Sequence, residues 1–264
     1  MKIHRIQTGT ARVKNFQLYG GANTLSRFYQ LLFTQKWSEW IPIYCWLIET
    51  NDQLILVDAG ETADIYKDGY LPKGGLYHKA VQTRIKEEEE LPHQLQKIGF
   101  DAKEVRTVIF THMHGDHIGG LKYLEGADIY VSKKEYELAT SKKGPSGGYF
   151  QANWPKWFDP ILIDFDGPEF EGFSGSFDIG AHLTLVPTPG HTPGHLSVIA
   201  RIPVQTYFIA GDVTLNTDTL ADGVPNVILP NKEATNTIKK IQQYISQTGA
   251  ILLSSHDSES LEVT

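Results

Sequence analysis

The stretch Thr111-His112-Met113-His114-Gly115-Asp116-His117-Ile118-Gly119-Gly120 puts three histidines and an aspartate within six positions. The run before it, Val105-Arg106-Thr107-Val108-Ile109-Phe110, is apolar and β-branched, the pattern of a buried strand. The polar cluster then falls in the loop at that strand's C-terminal end, where α/β sheets place their chemistry. Imidazoles and a carboxylate packed this densely are costly to bury without a partner. A divalent cation is the simplest one, since neutral imidazole and carboxylate oxygen are its natural ligands. The alternative is a polar surface loop. The chain holds only 10 histidines in 264 residues, so three in six positions is hard to reach by chance.

The same arrangement recurs downstream. Leu183-Thr184-Leu185-Val186 leads to Pro187-Thr188-Pro189-Gly190-His191-Thr192-Pro193-Gly194-His195; Tyr207-Phe208-Ile209-Ala210 leads to Gly211-Asp212; Ile251-Leu252-Leu253-Ser254-Ser255 leads to His256. One histidine at a strand end is usually structural. Four strand ends that all carry such groups are not easily explained by packing. His112, His114, Asp116, His117, His191, Asp212 and His256 make seven ligands, too many for one tetrahedral ion. They suit two ions that share a carboxylate, with a water or hydroxide between them.

Elsewhere the pattern predicts a strand over residues 1–14 at a sheet edge, and a helix around 26–33. A hairpin follows at 41–50 and 53–60, with Asp58 at its end. Residues 61–82 read as loop. A helix in two parts comes next, with Pro92 in a first turn and Gly99 as its stop. Glu87 to Glu90 read as a solvated helix face. Further strands are expected at 127–132, 161–165, 176–179, 182–186, 196–202, 206–210 and 250–254, and helices at 119–124, 133–140 and 232–247. Residues 214–231 read as loop. Two aromatic-rich stretches stand out. Residues 15–40 could be core, pocket wall or subunit contact, and 141–160 form a long loop of the kind used as a lid.

Hydrophobic residues make up 41% of the chain and charged residues 21%, enough for a sizeable core and too ordered a composition for wholesale disorder. The net charge of −7 and the lack of a Lys/Arg block argue against nucleic acid as a partner. There is no apolar leader and no run of 18 apolar residues, so the expectation is a cytoplasmic protein without a membrane partner. Cys45 is the single cysteine. It excludes an intrachain disulfide and reads as a buried, inert thiol.

The motifs Thr-His-Met-His-Gly-Asp-His-Ile-Gly-Gly, Thr-Pro-Gly-His-Thr-Pro-Gly-His and Gly-Asp, the late His256 and the leading Leu56-Val57-Asp58-Ala59-Gly60 resemble the signature of metallo-β-lactamase-fold hydrolases. The resemblance runs in order from about residue 43 to 257. It implies a single domain over 1–264 with an α+β four-layer αββα sandwich, two mixed β-sheets flanked by helices. It also implies that His112, His114 and His191 hold one metal, that Asp116, His117 and His256 hold the other, and that Asp212 bridges. The cofactor implied is a pair of divalent metal ions, zinc by default. Asp58 is expected to orient the site from behind. His195 matches the motif without being a ligand there, and His4, His78, His93 and His182 have no matching role.

The bridging Asp212 separates the chain from true β-lactamases. Length, the aromatic N-terminal segment, the 41–50 strand and the Leu252-Leu253-Ser254-Ser255-His256-Asp257 ending are similar to N-acyl-homoserine lactonases. The implied reaction is opening of the lactone ring of an acyl-homoserine lactone (quorum quenching) by a metal-bound hydroxide, with Asp116 moving the proton to the leaving alkoxide. The partner is then a small acyl lactone or related ester, and a homodimer contact through 15–40 is open. One departure concerns substrate. Many such lactonases carry a tyrosine three residues after the bridging aspartate, and this chain has Leu215 there, so Tyr149 or Thr214 could supply the missing hydroxyl. The alternative is another esterase, thioesterase or phosphotriesterase on the same metals.

Overall fold

The computed structural model describes residues 1–19, 23–71, 77–229 and 231–260. Twelve strands build two mixed sheets. β1 (Lys2–Val13), β2 (Ile41–Glu49), β3 (Leu54–Val57), β4 (Val81–Arg84), β5 (Val105–Ile109), β6 (Asp128–Ser132) and β7 (Ile161–Ile163) form the first, in the order β4-β1-β2-β3-β5-β6-β7. β8 (Phe177–Ile179), β9 (Leu183–Pro187), β10 (Leu196–Ile202), β11 (Gln205–Gly211) and β12 (Ile251–Ser254) form the second, in the order β12-β11-β10-β9-β8.

Three apolar layers explain why the strands read as continuous apolar runs. Tyr44, Trp46, Ile48, Ile55 and Val57 meet Leu185, Leu196, Val198 and Ile209 between the sheets. The alternate positions Cys45, Leu47, Leu54 and Leu56 turn outward to Leu91 and Leu95 of a flanking helix. On the far side, Ile199 and Phe208 pack on Ile238, Ile241 and Tyr244 of the helix Lys232–Thr248. The expected αββα sandwich is therefore present. Strands covered on both faces lose the polar alternation that marks a half-exposed sheet. Trp46 is fully buried at its centre. A side chain of that class contributes on the order of 2–3 kcal/mol by burial alone.

Topology brings the chemistry to one edge. β3 and β5 are parallel. β9 and β11 both pair antiparallel with β10, and β11 is parallel to β12. The C-terminal ends of β9, β11 and β12 therefore share one rim. Two backbone bonds lock that rim to the first sheet: Leu196 N–H donates to Thr111 C=O (2.9 Å) and Tyr44 N–H to Ser255 C=O (2.8 Å).

The structure departs from the sequence reading in several places. Val81–Arg84, expected as loop, is a strand that pairs with Thr10–Val13, so β1 is the edge of the sheet only before Thr10. The loop 214–231 contains a helical turn, Thr217–Ala221, capped by Asn216. Glu90 is no solvated charge. It is buried and accepts from Ala63 N–H (2.6 Å), Thr62 Oγ1 (3.1 Å) and the Tyr123 hydroxyl, with Lys122 Nζ at 3.3 Å. Gly119–Tyr123, expected as part of a helix, form a 3-10 turn rather than an α-helix. The expectation for His78 falls on a side chain outside the described residues. Among the described residues no helix is long and apolar enough to cross a membrane.

Candidate metal centre

All seven sequence-predicted side chains meet at the shared rim. His112 Nε2, His114 Nδ1 and His191 Nε2 converge, the first two 3.0 Å apart and the last two 3.1 Å. Asp116, His117 and His256 form a second group, with Asp116 Oδ2 at 3.7 Å from His256 Nε2 and 4.0 Å from His117 Nε2. Asp212 lies between them. Its Oδ1 faces His117 Nε2 (3.2 Å) and His256 Nε2 (3.1 Å), while its Oδ2 faces His191 Nε2 (3.5 Å). One carboxylate thus offers an oxygen to each group.

The outer ring nitrogens fix which inner nitrogens carry lone pairs. His191 Nδ1 donates to Asn226 C=O (2.6 Å), and His256 Nδ1 to Pro42 C=O (2.8 Å). His117 Nδ1 donates to Asp58 Oδ2 (2.9 Å). His112 Nδ1 faces Thr111 Oγ1 (3.1 Å), whose own hydrogen goes to Asp58 (2.9 Å). The Gly147 backbone engages His114. Every outer partner accepts, so each ring in its neutral form keeps its hydrogen outside and turns a bare nitrogen inward. Several imidazole lone pairs then face one another and two carboxylates in a buried space. His117 Nε2 and Asp212 Oδ1 are buried without a hydrogen-bond partner although they are 3.2 Å apart. Groups so placed need positive charge between them, and an all-nitrogen-and-oxygen donor set fits divalent cations such as zinc.

The electrostatics agree. Burial, and the neighbouring imidazoles, hold His112 and His114 well below the usual histidine range, as neutral ligands require. Burial opposes charge on His117 too, but Asp212, Asp58 and Asp116 outweigh it and lift its pKa well above that range. Burial would raise Asp212, yet His256 and His117 outweigh it and hold the carboxyl well below the usual carboxylate range. Cation and carboxylates attract wherever the charge sits, on a proton or on a metal.

Supporting residues carry the geometry. Asp58 follows β3 with φ 60°, in the left-handed region. That conformation costs a non-glycine residue on the order of 1 kcal/mol or more. It lets the carboxylate accept from Thr111 N–H (2.8 Å), Thr111 Oγ1 and His117 at once. Gly211 has φ 57°, and a Cβ there would lie 2.7 Å from Thr111 Oγ1 and 2.8 Å from His195 Nε2. The close approach allows Asp212 N–H to donate to His195 Nε2 (3.1 Å), while Thr188 Oγ1 holds His195 Nδ1 (2.9 Å). His195 therefore positions Asp212 from behind.

Sequence reasoning missed several contributors. Buried Glu135 accepts from Met113 N–H (3.0 Å), Tyr149 O–H (2.9 Å) and Thr192 O–H (2.6 Å), tying both histidine loops together. Asn226 Nδ2 donates to Asp212 Oδ2 (3.1 Å). Glu61 is buried, and burial together with Asp116 pushes its carboxyl up to about 8. Nothing in the local sequence marks these residues, because each is defined by a long-range partner.

A cavity of about 430 Å³ opens onto the cluster at His114, Asp116, Asp212 and His256. Its walls include Val13, Phe28, Leu31, Leu215, Val227 and Ile228. The aromatic segment 15–40 thus divides: Phe28 and Leu31 line the cavity, Phe16 is core, and Tyr29 and Phe33 face outward. The 141–160 loop divides as well. Residues 146–149 form wall, while Trp154, Trp157 and Phe158 pack against the outer core.

The family model of the metallo-beta-lactamase superfamily matches residues 39–256, and the chain belongs to that superfamily of hydrolases. Among curated relatives, an N-acyl homoserine lactonase of a Bacillus species is 25% identical over 220 residues, 83% of this chain and 82% of that one. The N-acyl homoserine lactonase AttM of Rhizobium johnstonii is 25% identical over 227 residues, 82% of each chain. Among solved structures, an N-acyl homoserine lactone hydrolase with N-hexanoyl-L-homoserine bound at its catalytic metal centre gives a TM-score of 0.76 at 22% identity, covering 98% of this chain and 94% of that one. The dizinc lactonase AidC gives 0.64 at 16% identity, covering 99% and 88%. The structural likenesses speak to the fold.

Proposed function

We propose that this hydrolase opens the lactone ring of N-acyl homoserine lactones in the cytoplasm and thereby quenches quorum signals. The observation that carries the reading is the apolar cavity ending on the seven-residue cluster, since an acyl tail needs an apolar groove and its ester needs the polar floor. The names of the relatives point the same way. His112, His114 and His191 would hold one divalent ion, Asp116, His117 and His256 the other, and Asp212 both, with zinc as the ion. Bound there, the two ions would supply a low-pKa water and a Lewis acid for the ester carbonyl.

The protein's own residues do the rest. Asp116 lines the cavity floor, where its carboxylate can take a proton from the attacking water and return it to the leaving alkoxide. Leu215 presents only methyl groups to the cavity. The Tyr149 O–H is donated to Glu135 and the Thr214 hydroxyl contacts Asn216 C=O (3.2 Å) and Thr219 Oγ1 (2.7 Å), so both expected substitutes are committed elsewhere. Tyr77 lines the same cavity, edge-on to Phe150. Burial and then Asp116 keep its phenol well above the usual range, a neutral donor at any working pH. Tyr77 is the hydroxyl that we place against the substrate carbonyl.

Ring opening of acyl-homoserine lactones of several chain lengths, assayed beside aryl ester, thioester and phosphotriester substrates, tests the reading. Lactones should be preferred. Turnover confined to thioesters or phosphotriesters would replace the substrate while leaving the site. Tyr77→Phe should lower kcat on the preferred lactone by about 100-fold or more, with KM changed much less, as loss of one oxyanion donor does. An unchanged kcat would remove Tyr77 from the reaction.

A further inference from the structure

Arg27 is the least expected buried residue in the molecule. It sits on the cavity-lining helix Thr24–Phe33 and is only 2% exposed. Its guanidinium meets no carboxylate among the described residues. Nε donates to Ile228 C=O (3.0 Å), Nη2 to Val227 C=O (2.5 Å) and Nη1 to Phe16 C=O (3.2 Å), and the guanidinium lies over the Phe16 ring, 5.0 Å from its centroid. Burial lowers its pKa. A desolvated guanidinium is costly, and here each of its three nitrogens donates to a backbone carbonyl, two of them on consecutive residues. A planar fork suits that task, because one side chain fixes a whole peptide segment.

That segment continues straight into the metal centre. Asn226 precedes Val227. Its carbonyl accepts the His191 Nδ1 hydrogen, its side-chain amide donates to Asp212 Oδ2, and its own N–H is fixed on Val213 C=O (2.9 Å). His191 and Asp212 arrive from different strands, and Asn226 bonds to both. At the other end, Phe28 and Leu31 flank Arg27 on its helix and line the cavity together with Val227 and Ile228. One short strut therefore shapes the apolar wall and orients two of the seven metal-facing groups.

We infer that Arg27 is a positioning residue that couples the apolar substrate wall to the metal centre through Asn226, Val227 and Ile228. The acyl-chain part of this inference rests on the lactonase reading; the metal part does not. Loss of the fork frees the 226–228 segment, so His191 and Asp212 lose their fixed orientation while the wall formed by the helix loosens.

The test compares Arg27→Met and Arg27→Lys with Lys14→Met. Lys14 Nζ donates to Thr34 C=O (2.7 Å) at the end of the same helix and does not touch the 226–228 segment. Zinc affinity is read by competition with a chromophoric chelator, and kcat and KM are read on butanoyl- and decanoyl-homoserine lactone. Arg27→Met should weaken zinc binding by about tenfold or more, the usual effect of removing an outer support of a metal site. It should raise KM for the decanoyl substrate more than for the butanoyl one. Arg27→Lys, with one compact donor group, should fall between, and it decides the matter if the methionine variant does not fold. Lys14→Met should lower the thermal midpoint and leave zinc affinity unchanged. Arg27 variants that lose only thermal stability, with zinc affinity within twofold of the parent, would overturn the inference, as would an equal loss of zinc affinity in Lys14→Met. If the parent opens no lactone, the lactonase reading fails and the zinc measurements still decide the role of Arg27.

Discussion

Asp212→Ala should abolish ring opening, lowering kcat/KM by on the order of a thousandfold or more, and should leave the protein able to retain at most one ion per chain. The expectation follows from where the two oxygens point. Oδ1 lies 3.1–3.2 Å from the imidazoles of His256 and His117, and Oδ2 lies 3.5 Å from that of His191. Among the described residues no other side chain spans both groups. Without it, two cations would face each other across a gap with no shared negative charge, and their repulsion in a buried site is severe. Asp212→Asn separates charge from shape. The amide keeps the side chain's volume and one acceptor oxygen, so zinc binding should fall between those of the parent and the alanine variant. Full turnover by Asp212→Ala, or retention of two ions, would contradict the bridging role.

Asp116→Asn should separate metal binding from proton transfer. The amide oxygen can still face His117 and His256, so most zinc affinity should remain. It cannot take up a proton. On the lactone, kcat should fall by about 10²–10⁴ with little change in KM, the range expected for loss of a general acid–base. The leaving group of a lactone is an alkoxide, which needs that proton. An aryl ester expels a phenolate, which does not. The aryl ester should therefore lose much less rate than the lactone in the same variant. Equal losses on both substrates would mean that Asp116 acts on the metal alone.

The candidate site was unusually legible because its groups stand at strand ends. Buried on both faces, β3, β5, β9, β11 and β12 appear as unbroken apolar runs, and the polar residue that ends each run is the one that reaches the rim. Asp58, His112, His191, Asp212 and His256 are all of this kind. Short, half-exposed elements were not legible. β4 is Val-Gln-Thr-Arg with no fully buried position, and it is a strand only because Thr10–Val13 offers it a partner. Asn216 and Thr219 did carry a readable capping signal for the turn at Thr217–Ala221.

Buried polar residues were the harder loss. Glu90 and Glu135 look like ordinary surface charges in the sequence. Their burial is set by Ala63, Tyr123, Met113 and Thr192, partners up to 57 positions away. Asn226 and Arg27 are of the same type, linked to Asp212 and Val227 only by the folded path of the chain. The strand-end pattern reveals which groups meet at the rim. It does not reveal what holds them there or what lines the approach.

The most direct test of the central claim is a metal titration. Protein stripped with a chelator is given zinc in steps, and bound metal and lactone ring opening are measured on the same samples. A two-metal centre predicts binding that saturates at two ions per chain, with turnover absent in the stripped protein and restored in full only as the second site fills. Saturation at one ion, or lactone opening by the stripped protein at the rate of the loaded one, would contradict it.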